Sequence, residues 1–531
     1  MSDSTITTRP LSGLEAGREG DPAEPAFSLD GWSALALDAG AARWANRGLL
    51  LFLFVLAASV PHSIAAAQAS GALGLLAWIV RDGLRRRIHF AATPIDRPLL
   101  AFAGWTILSS VFSVEPAVSL PKLKALLLFA IVYLVSSNLN RRGAQALVGV
   151  LIASSLTGVG FSLAEKAWGR GMIVTSIDAA SPLRGSAMQP GDVIWMIARR
   201  RVGTPEEAAD VIRRHRAGER LSVEALHDGD PIEVSILVTD EMKAQANPLG
   251  IAADGRSRRF RVSGFSRQFQ TYAEQMQMLG LLCYGGLLVG FRRRQGVLLA
   301  GGLALLFASA LVLTATRAVI AAFIGALLLV SLRFGGRAAA AFALAAALAL
   351  GGAGLWVVTK ARTRSMASFR DDSTSRRIGY AQAGLRLVPR HPLLGVGMDS
   401  HKRHWTEWGF PGEYVTHTHS TPIQIAMERG LPALAFLGWL LFALLGASWR
   451  GAQAAREADA PFAESLRLGL FGALLGFSIS SLTNYNFGDS EVLMQLLLLA
   501  GLSLGAPGAL SAGPAPGTAE SGLGGSATSA A

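Results

Sequence analysis

The chain has 531 residues, is 51% hydrophobic and only 16% charged, and has a mean hydropathy of +0.38. That is too apolar for a soluble protein of this size and reads as a polytopic membrane protein. The formal charge of +12 does not point to nucleic acid, because the basic residues fall in short clusters between apolar runs and form no groove with interleaved aromatics. Cys283, the only cysteine, lies in an apolar run and allows no internal disulfide.

Residues 1–45 are polar, mixed in charge and contain Pro and Gly, so a disordered cytoplasmic tail is expected there. Apolar runs long enough to cross about 30 Å of hydrocarbon then number about twelve. Five fall in 46–167, near 47–62, 64–80, 98–113, 123–138 and 144–164. Four fall in 265–358, near 272–291, 296–315, 318–333 and 338–358, and three in 422–508, near 422–447, 466–484 and 490–507. The basic clusters at Arg81 to Arg87, Arg141-Arg142, Arg292 to Arg294, Arg333 with Arg337, and Arg450 all land on one side of this alternation. By the bias of Lys and Arg towards the cytoplasm, both termini are inside, and two polar regions, 168–264 and 359–421, lie on the outer face. Residues 509–531 are Gly/Ala/Ser/Pro-rich low complexity and are expected to be disordered.

The first outer region has a strand-like alternation from Gly171 through Met172 and Ile173 to Ile177, then Ser181-Pro182, a turn at Gly191-Asp192 and a second strand. Helical spacing over Glu206 to Arg216 and a hairpin turning at Asp228-Gly229-Asp230 complete it. At about 70 residues it is large enough for a small α+β domain. The order of strand, Ser-Pro, Gly-Asp-Val-Ile, helix and hairpin resembles a PDZ domain of bacterial envelope proteases. That resemblance implies a peptide C-terminal carboxylate held on the backbone amides of Gly171, Met172 and Ile173, with the peptide added as a strand. The other reading makes the domain a spacer or an intramolecular contact.

The second outer region ends in Thr416-His417-Thr418-His419-Ser420-Thr421-Pro422, where a polar segment meets an apolar span. Imidazole moves protons near neutral pH, so two histidines at such a boundary are candidates for acid–base work. Pro389-Arg390-His391-Pro392-Leu393-Leu394-Gly395-Val396-Gly397, then His419-Ser420, then nine residues and Gly430, resembles the O-antigen ligase and O-antigen polymerase superfamily. Ser113 to Leu120, Gly264-Phe265 with Thr271 to Glu274, Thr314 to Ala318, and Ser375-Arg376 before Tyr380 support it in order. Ser420 stands where Asn is commoner, and the PDZ-like insert is absent from most members.

The resemblance implies a bacterial inner-membrane enzyme moving an undecaprenyl-diphosphate-linked glycan to a lipid A-core, glycan or protein acceptor in the periplasm, with inversion and without metal, cofactor or nucleotide-sugar. It assigns His419 as general base, Arg317 and Arg376 as donor-diphosphate ligands, and Ser420, Gly430, Gly395 and Gly397 as support. The chemistry agrees: Arg317 sits at the outer mouth of two apolar spans, where an ionised side chain needs a cavity or a partner such as a diphosphate. Arg377 has an even claim as a solvated basic residue, and Arg362, Arg364 and Arg370 a weaker functional one. Two histidines one residue apart without a clear third ligand do not suggest zinc. Ligase, polymerase and protein oligosaccharyltransferase share this architecture. A transporter, which would keep its charges near the midplane, and a PDZ-based envelope adaptor are the rivals from other classes.

Overall fold

The computed structural model describes residues 29–227, 230–361, 372–412 and 417–505. The first 28 and last 26 residues, the Asp228-Gly229 turn, Arg362, Arg364, Arg370 and Thr416 lie outside the described residues. Five helices come first: α1 (Ala41–Ser59), α2 (Ile64–Arg85), α3 (Asp96–Val111), α4 (Pro116–Ser136) and α5 (Arg141–Trp168). A sheet domain follows, with β1 (Met172–Ile177), β2 (Val193–Ile197), β3 (Arg200–Arg201), α6 (Pro205–Arg213), β4 (Arg220–His227), β5 (Asp230–Leu237), α7 (Asp240–Ala244) and β6 (Ile251–Asp254). The chain then runs through α8 (Phe269–Arg293), α9 (Val297–Leu313), α10 (Arg317–Gly335), α11 (Gly336–Ala361), α12 (Asp372–Leu387), α13 (Thr421–Glu457), α14 (Pro461–Ser480) and α15 (Ser490–Leu504).

The twelve stretches read as spans all coincide with helices, and eight of these are long and apolar enough to cross a membrane: α1, α2, α4, α5, α10, α11, α13 and α14. The other four are shorter (α3, α9, α15) or more polar (α8). Leu298, Leu305, Leu348 and Phe442 point outwards from the bundle, as side chains facing lipid would. The fold is that of a polytopic helical membrane protein with a small α+β domain.

Helix α8 is the centre of the bundle, buried along almost its whole length, including Glu274, Gln275 and Gln277. It reaches α14 closely because Gly285 and Gly469 face each other; a Cβ on Gly469 would run into the backbone of Leu282. The polar groups of α8 are met from α14 and the loop after it: Ser480 Oγ (2.8 Å) and Asn484 Nδ2 (3.1 Å) both donate to Glu274.

Residues 29–45, expected to belong to a disordered tail, are folded. Residues 29–40 pack on the bundle, with Trp32 at 4.6 Å from Phe54 and Asn140 Nδ2 donating to the Gly31 and Ser33 carbonyls. Asp30 accepts from Arg43 and Arg47 of α1, so the polar residues that read as tail are half of an ion-pair cluster.

The sheet is antiparallel in the order β5-β4-β2-β1-β6, with β3 beside β2 and α6 packed near β6. Met172, Val174, Ile194, Ile212, Val223 and Ile236 form its separate core. The domain is tied to the end of α5. Glu165 accepts from Arg170 (2.9 Å) and Arg201 (2.9 Å), and the buried Arg170 guanidinium stacks over Trp195 and Phe260.

Candidate active site

Helix α13 begins at Thr421 and is broken at Gly430, whose φ of 83° and ψ of 170° are open essentially to glycine alone. The break frees carbonyls at residues 427–429, and the segment 391–397 threads into it. Val396 N–H donates to Met427 O (2.9 Å), Gly397 N–H to Glu428 O (2.8 Å) and Leu431 N–H to Pro392 O (2.8 Å). Helix α3 closes the remainder: Trp105 Nε1 donates to the carbonyls of Leu393 (3.2 Å) and Arg429 (3.1 Å), and Ser109 Oγ to that of Leu394 (2.5 Å). A Cβ would overlap the Leu393 carbonyl at Gly430, the Glu428 backbone at Gly395 and the Ser113 side chain at Gly397. These three glycines are therefore where backbones cross, which is the physical content of their spacing in the sequence.

The same crossing fixes the start of α13. Glu428, 2% exposed, accepts from the Asp399 N–H (2.9 Å) and Gln424 Nε2 (2.8 Å), and Gln424 Oε1 in turn accepts from the Thr418 N–H (2.8 Å). Thr421 is anchored on the other side, donating from N and Oγ1 to the Asn484 carbonyl. Between these anchors His419 is held at a φ of 56°, with its N–H donating to His417 Nδ1 (3.2 Å) and the two rings 4.3 Å apart. Tyr380 of α12 lies 6.0 Å from the His419 ring, and α12 comes this close because Gly384 sits against Thr418 and Ile423.

Burial, followed by the charges of His417 and Arg377, pushes His419 down to about 3. Burial, followed by the charges of His401, Arg377 and Lys402, pushes His417 down to about 4. Both imidazoles are thus neutral across the physiological range. Asp399 is raised by burial, but Lys122 (2.6 Å) and Lys402 (2.8 Å) outweigh this and hold it below the usual carboxylate range.

A cleft of about 1080 Å³ opens beside these groups. It is lined by apolar side chains of α2 (Ile64, Ala67, Leu75) and α4 (Leu126, Leu127, Leu134), by Lys122, Asp399, Lys402, His417, Glu428 and Arg429, and by the carboxylates of Glu274, Asp489 and Glu491. An amphiphile with an aliphatic chain and a charged head matches a lining of both kinds.

Of the residues singled out in the sequence, the structure brings together His419, Ser420, Gly430, Gly395, Gly397 and the helix of Arg376. Ser420 is the residue before α13, its carbonyl accepting from the Gln424 N–H (2.9 Å). Arg376 is exposed on α12, one turn before Tyr380, while its neighbour Arg377 is the arginine whose charge acts on both histidines. Arg317 is exposed at the first position of α10; among the described residues neither it, Arg376 nor His419 lines the cleft, whereas His417 does. Lys122, Lys402 and Glu428 carry no motif of their own, and only their place in the fold reveals them.

Gly171, Met172 and Ile173 need a correction. Met172 and Ile173 open β1, which is paired with β2 on one side and with β6 on the other, and Gly171 lies directly against the Ile194 carbonyl. An added strand requires an unpaired edge, and β1 has none. The edge next to α6 is β6, entered through the turn at Gly250 with its φ of 56°.

Comparison with known proteins bears on both parts of the chain. Residues 302–438 match the O-antigen ligase family, and residues 155–238 match the PDZ domain family. The chain thus carries a segment similar to the O-antigen ligase family and, inserted before it, one similar to PDZ domains. The ligase segment runs from α9 to the first half of α13 and so contains Arg317, Arg376, His419 and all three crossing glycines. The PDZ match begins inside α5 and stops before β6, so the strand that carries the free edge lies beyond it. No curated protein matches the chain significantly.

Proposed function

We propose that the chain transfers an undecaprenyl-diphosphate-linked glycan to an acceptor hydroxyl on the periplasmic face of the bacterial inner membrane, as a ligase. The observation that carries this reading is the cleft, which is lined by aliphatic side chains of α2 and α4 together with Lys122, Lys402 and the neutral His417. The isoprenoid lies along α2 and α4, and the diphosphate lies near Lys122 and Lys402, with the arginines of α12 and Arg317 completing its charge balance. The acceptor oxygen attacks the anomeric carbon as the bond from that carbon to the phosphate oxygen breaks. The electron pair leaves with undecaprenyl diphosphate, and the hydroxyl proton passes to His419. A single displacement inverts the configuration at that carbon.

A pKa near 3 describes a weak base. A diphosphate brings negative charge next to the histidines and raises it, so the imidazole becomes basic when donor is bound. A peptide strand added to the PDZ domain lies along β6 opposite α6. Reconstituted full-length protein with a lipid-diphosphate glycan and a panel of lipid A-core, glycan and peptide acceptors tests the reading. The expected product is a glycan on one acceptor with inverted anomeric configuration and free undecaprenyl diphosphate; retention of configuration, or no release of the lipid, overturns it.

A further inference from the structure

His417 differs from the other histidines of this region in what its ring is made to do. The hydrogen bond from the His419 N–H occupies Nδ1 as an acceptor, and an acceptor nitrogen carries no proton. The neutral ring therefore holds its proton on Nε2, on the far side from His419. His417 lines the cleft, and Lys402 and Asp399, which also line it, act on its ring. His419, in contrast, has a buried Nδ1 without a partner among the described residues and does not line the cleft.

We propose that His417 is a second working imidazole, whose Nδ1 holds the backbone of His419 in its left-handed conformation while its Nε2–H donates a hydrogen bond to the diphosphate of the lipid donor. The inference rests on the reading of the cleft as a lipid-diphosphate site and adds to it a fixed proton position. A donor N–H aimed at a phosphate oxygen gives orientation as well as charge balance, which the flexible Lys122 and Lys402 supply only as point charges. It also divides the pair: one ring faces the leaving group and the other the proton of the acceptor.

Two substitutions separate the two ends of the ring. His417→Asn puts an amide oxygen where Nδ1 accepts and removes the Nε2 donor; His417→Gln puts an amide N–H near the Nε2 position and removes the Nδ1 acceptor. The measurement is the affinity of full-length protein in nanodiscs for undecaprenyl diphosphate, with undecaprenyl monophosphate as the comparison and the thermal unfolding midpoint as the control for folding. His417→Asn is expected to weaken undecaprenyl diphosphate binding by about 10-fold, the worth of one hydrogen bond to a charged group. His417→Gln is expected to stay within about 3-fold of wild type in affinity while its transfer rate falls, because His419 is no longer held. Wild-type affinity in a folded His417→Asn protein overturns the donor role and leaves His417 a tether. If His417→Asn does not fold, weak binding by a folded His417→Gln overturns it instead. Failure of the wild-type protein to bind undecaprenyl diphosphate at all contradicts the underlying reading of the cleft, and the inference falls with it.

Discussion

At the scale of single residues, the histidine pair makes a prediction about pH. Both rings stay neutral in the folded protein down to about 4 for His417 and about 3 for His419, against an ordinary value of 6.5. In the unfolded chain they take up protons near that ordinary value. The stability they contribute is thus fully present above pH 6.5 and is lost as pH falls from there towards 4. Each ring sets a slope of up to about 1.4 kcal/mol per pH unit. Unfolding of detergent-solubilised protein followed from pH 7.5 to 4.5 should show this acid loss, and His417→Asn with His419→Gln should flatten it. Gly430 makes a sharper prediction, since Gly430→Ala meets both a forbidden backbone conformation and the Leu393 carbonyl. It should cost about 3 kcal/mol or more, read as a lowered unfolding midpoint, whereas Gly302→Ala on α9, with open space around it, should be neutral or slightly stabilising.

The sequence carried His419 and the three glycines because their spacing has a pattern. It offered His417 only as one of two histidines at a boundary, since a ring that accepts from a backbone N–H two residues away leaves no trace in composition or period. It also favoured Arg376, and the difference between adjacent positions on a helix is an angle that spacing alone does not supply: Arg377 is the one whose charge reaches the histidines.

At the scale of elements, the broken helix is the main device. Apolar periodicity predicts one span over 422–447, and the structure has a helix from Thr421 to Glu457 interrupted at Gly430, with its freed carbonyls satisfied by 391–397 and α3. The break was illegible because its partners lie about 30 and over 300 residues away in sequence. Trp105→Phe keeps an aromatic ring and removes the donor to two carbonyls, so it should cost about 1–2 kcal/mol by the loss of hydrogen bonds to partly buried groups. The unfolding midpoint checks it, and because Trp105 is outside the cleft the affinity for donor should be unchanged. Helix α4 has a comparable irregularity: Leu120 to Phe129 is wound as a 3-10 helix, and this stretch places Lys122 and Lys124 on the cleft.

At the scale of the whole molecule, the count of apolar runs and the order of elements in the insert were legible, because both depend on local period and turn residues. The order of strands in the sheet was not, and so Gly171 to Ile173 read as an open peptide site although β1 is an interior strand. The tie between the domains was equally hidden. Glu165, at the end of a membrane helix, is a buried carboxylate shared by Arg170 and Arg201. Glu165→Ala leaves Arg170 buried without its carboxylate, a loss of about 3 kcal/mol that should loosen the PDZ domain from α5. Limited proteolysis of full-length protein reads it as faster cleavage in residues 255–268, with the helical bundle still intact.

The catalytic role of His419 is tested most directly by the single-turnover rate of glycan transfer by His419→Ala with saturating lipid-diphosphate donor. Loss of a general base predicts a rate at least about 100-fold below wild type, with affinity for undecaprenyl diphosphate and the unfolding midpoint little changed. A folded His419→Ala protein that transfers glycan at the wild-type rate contradicts it.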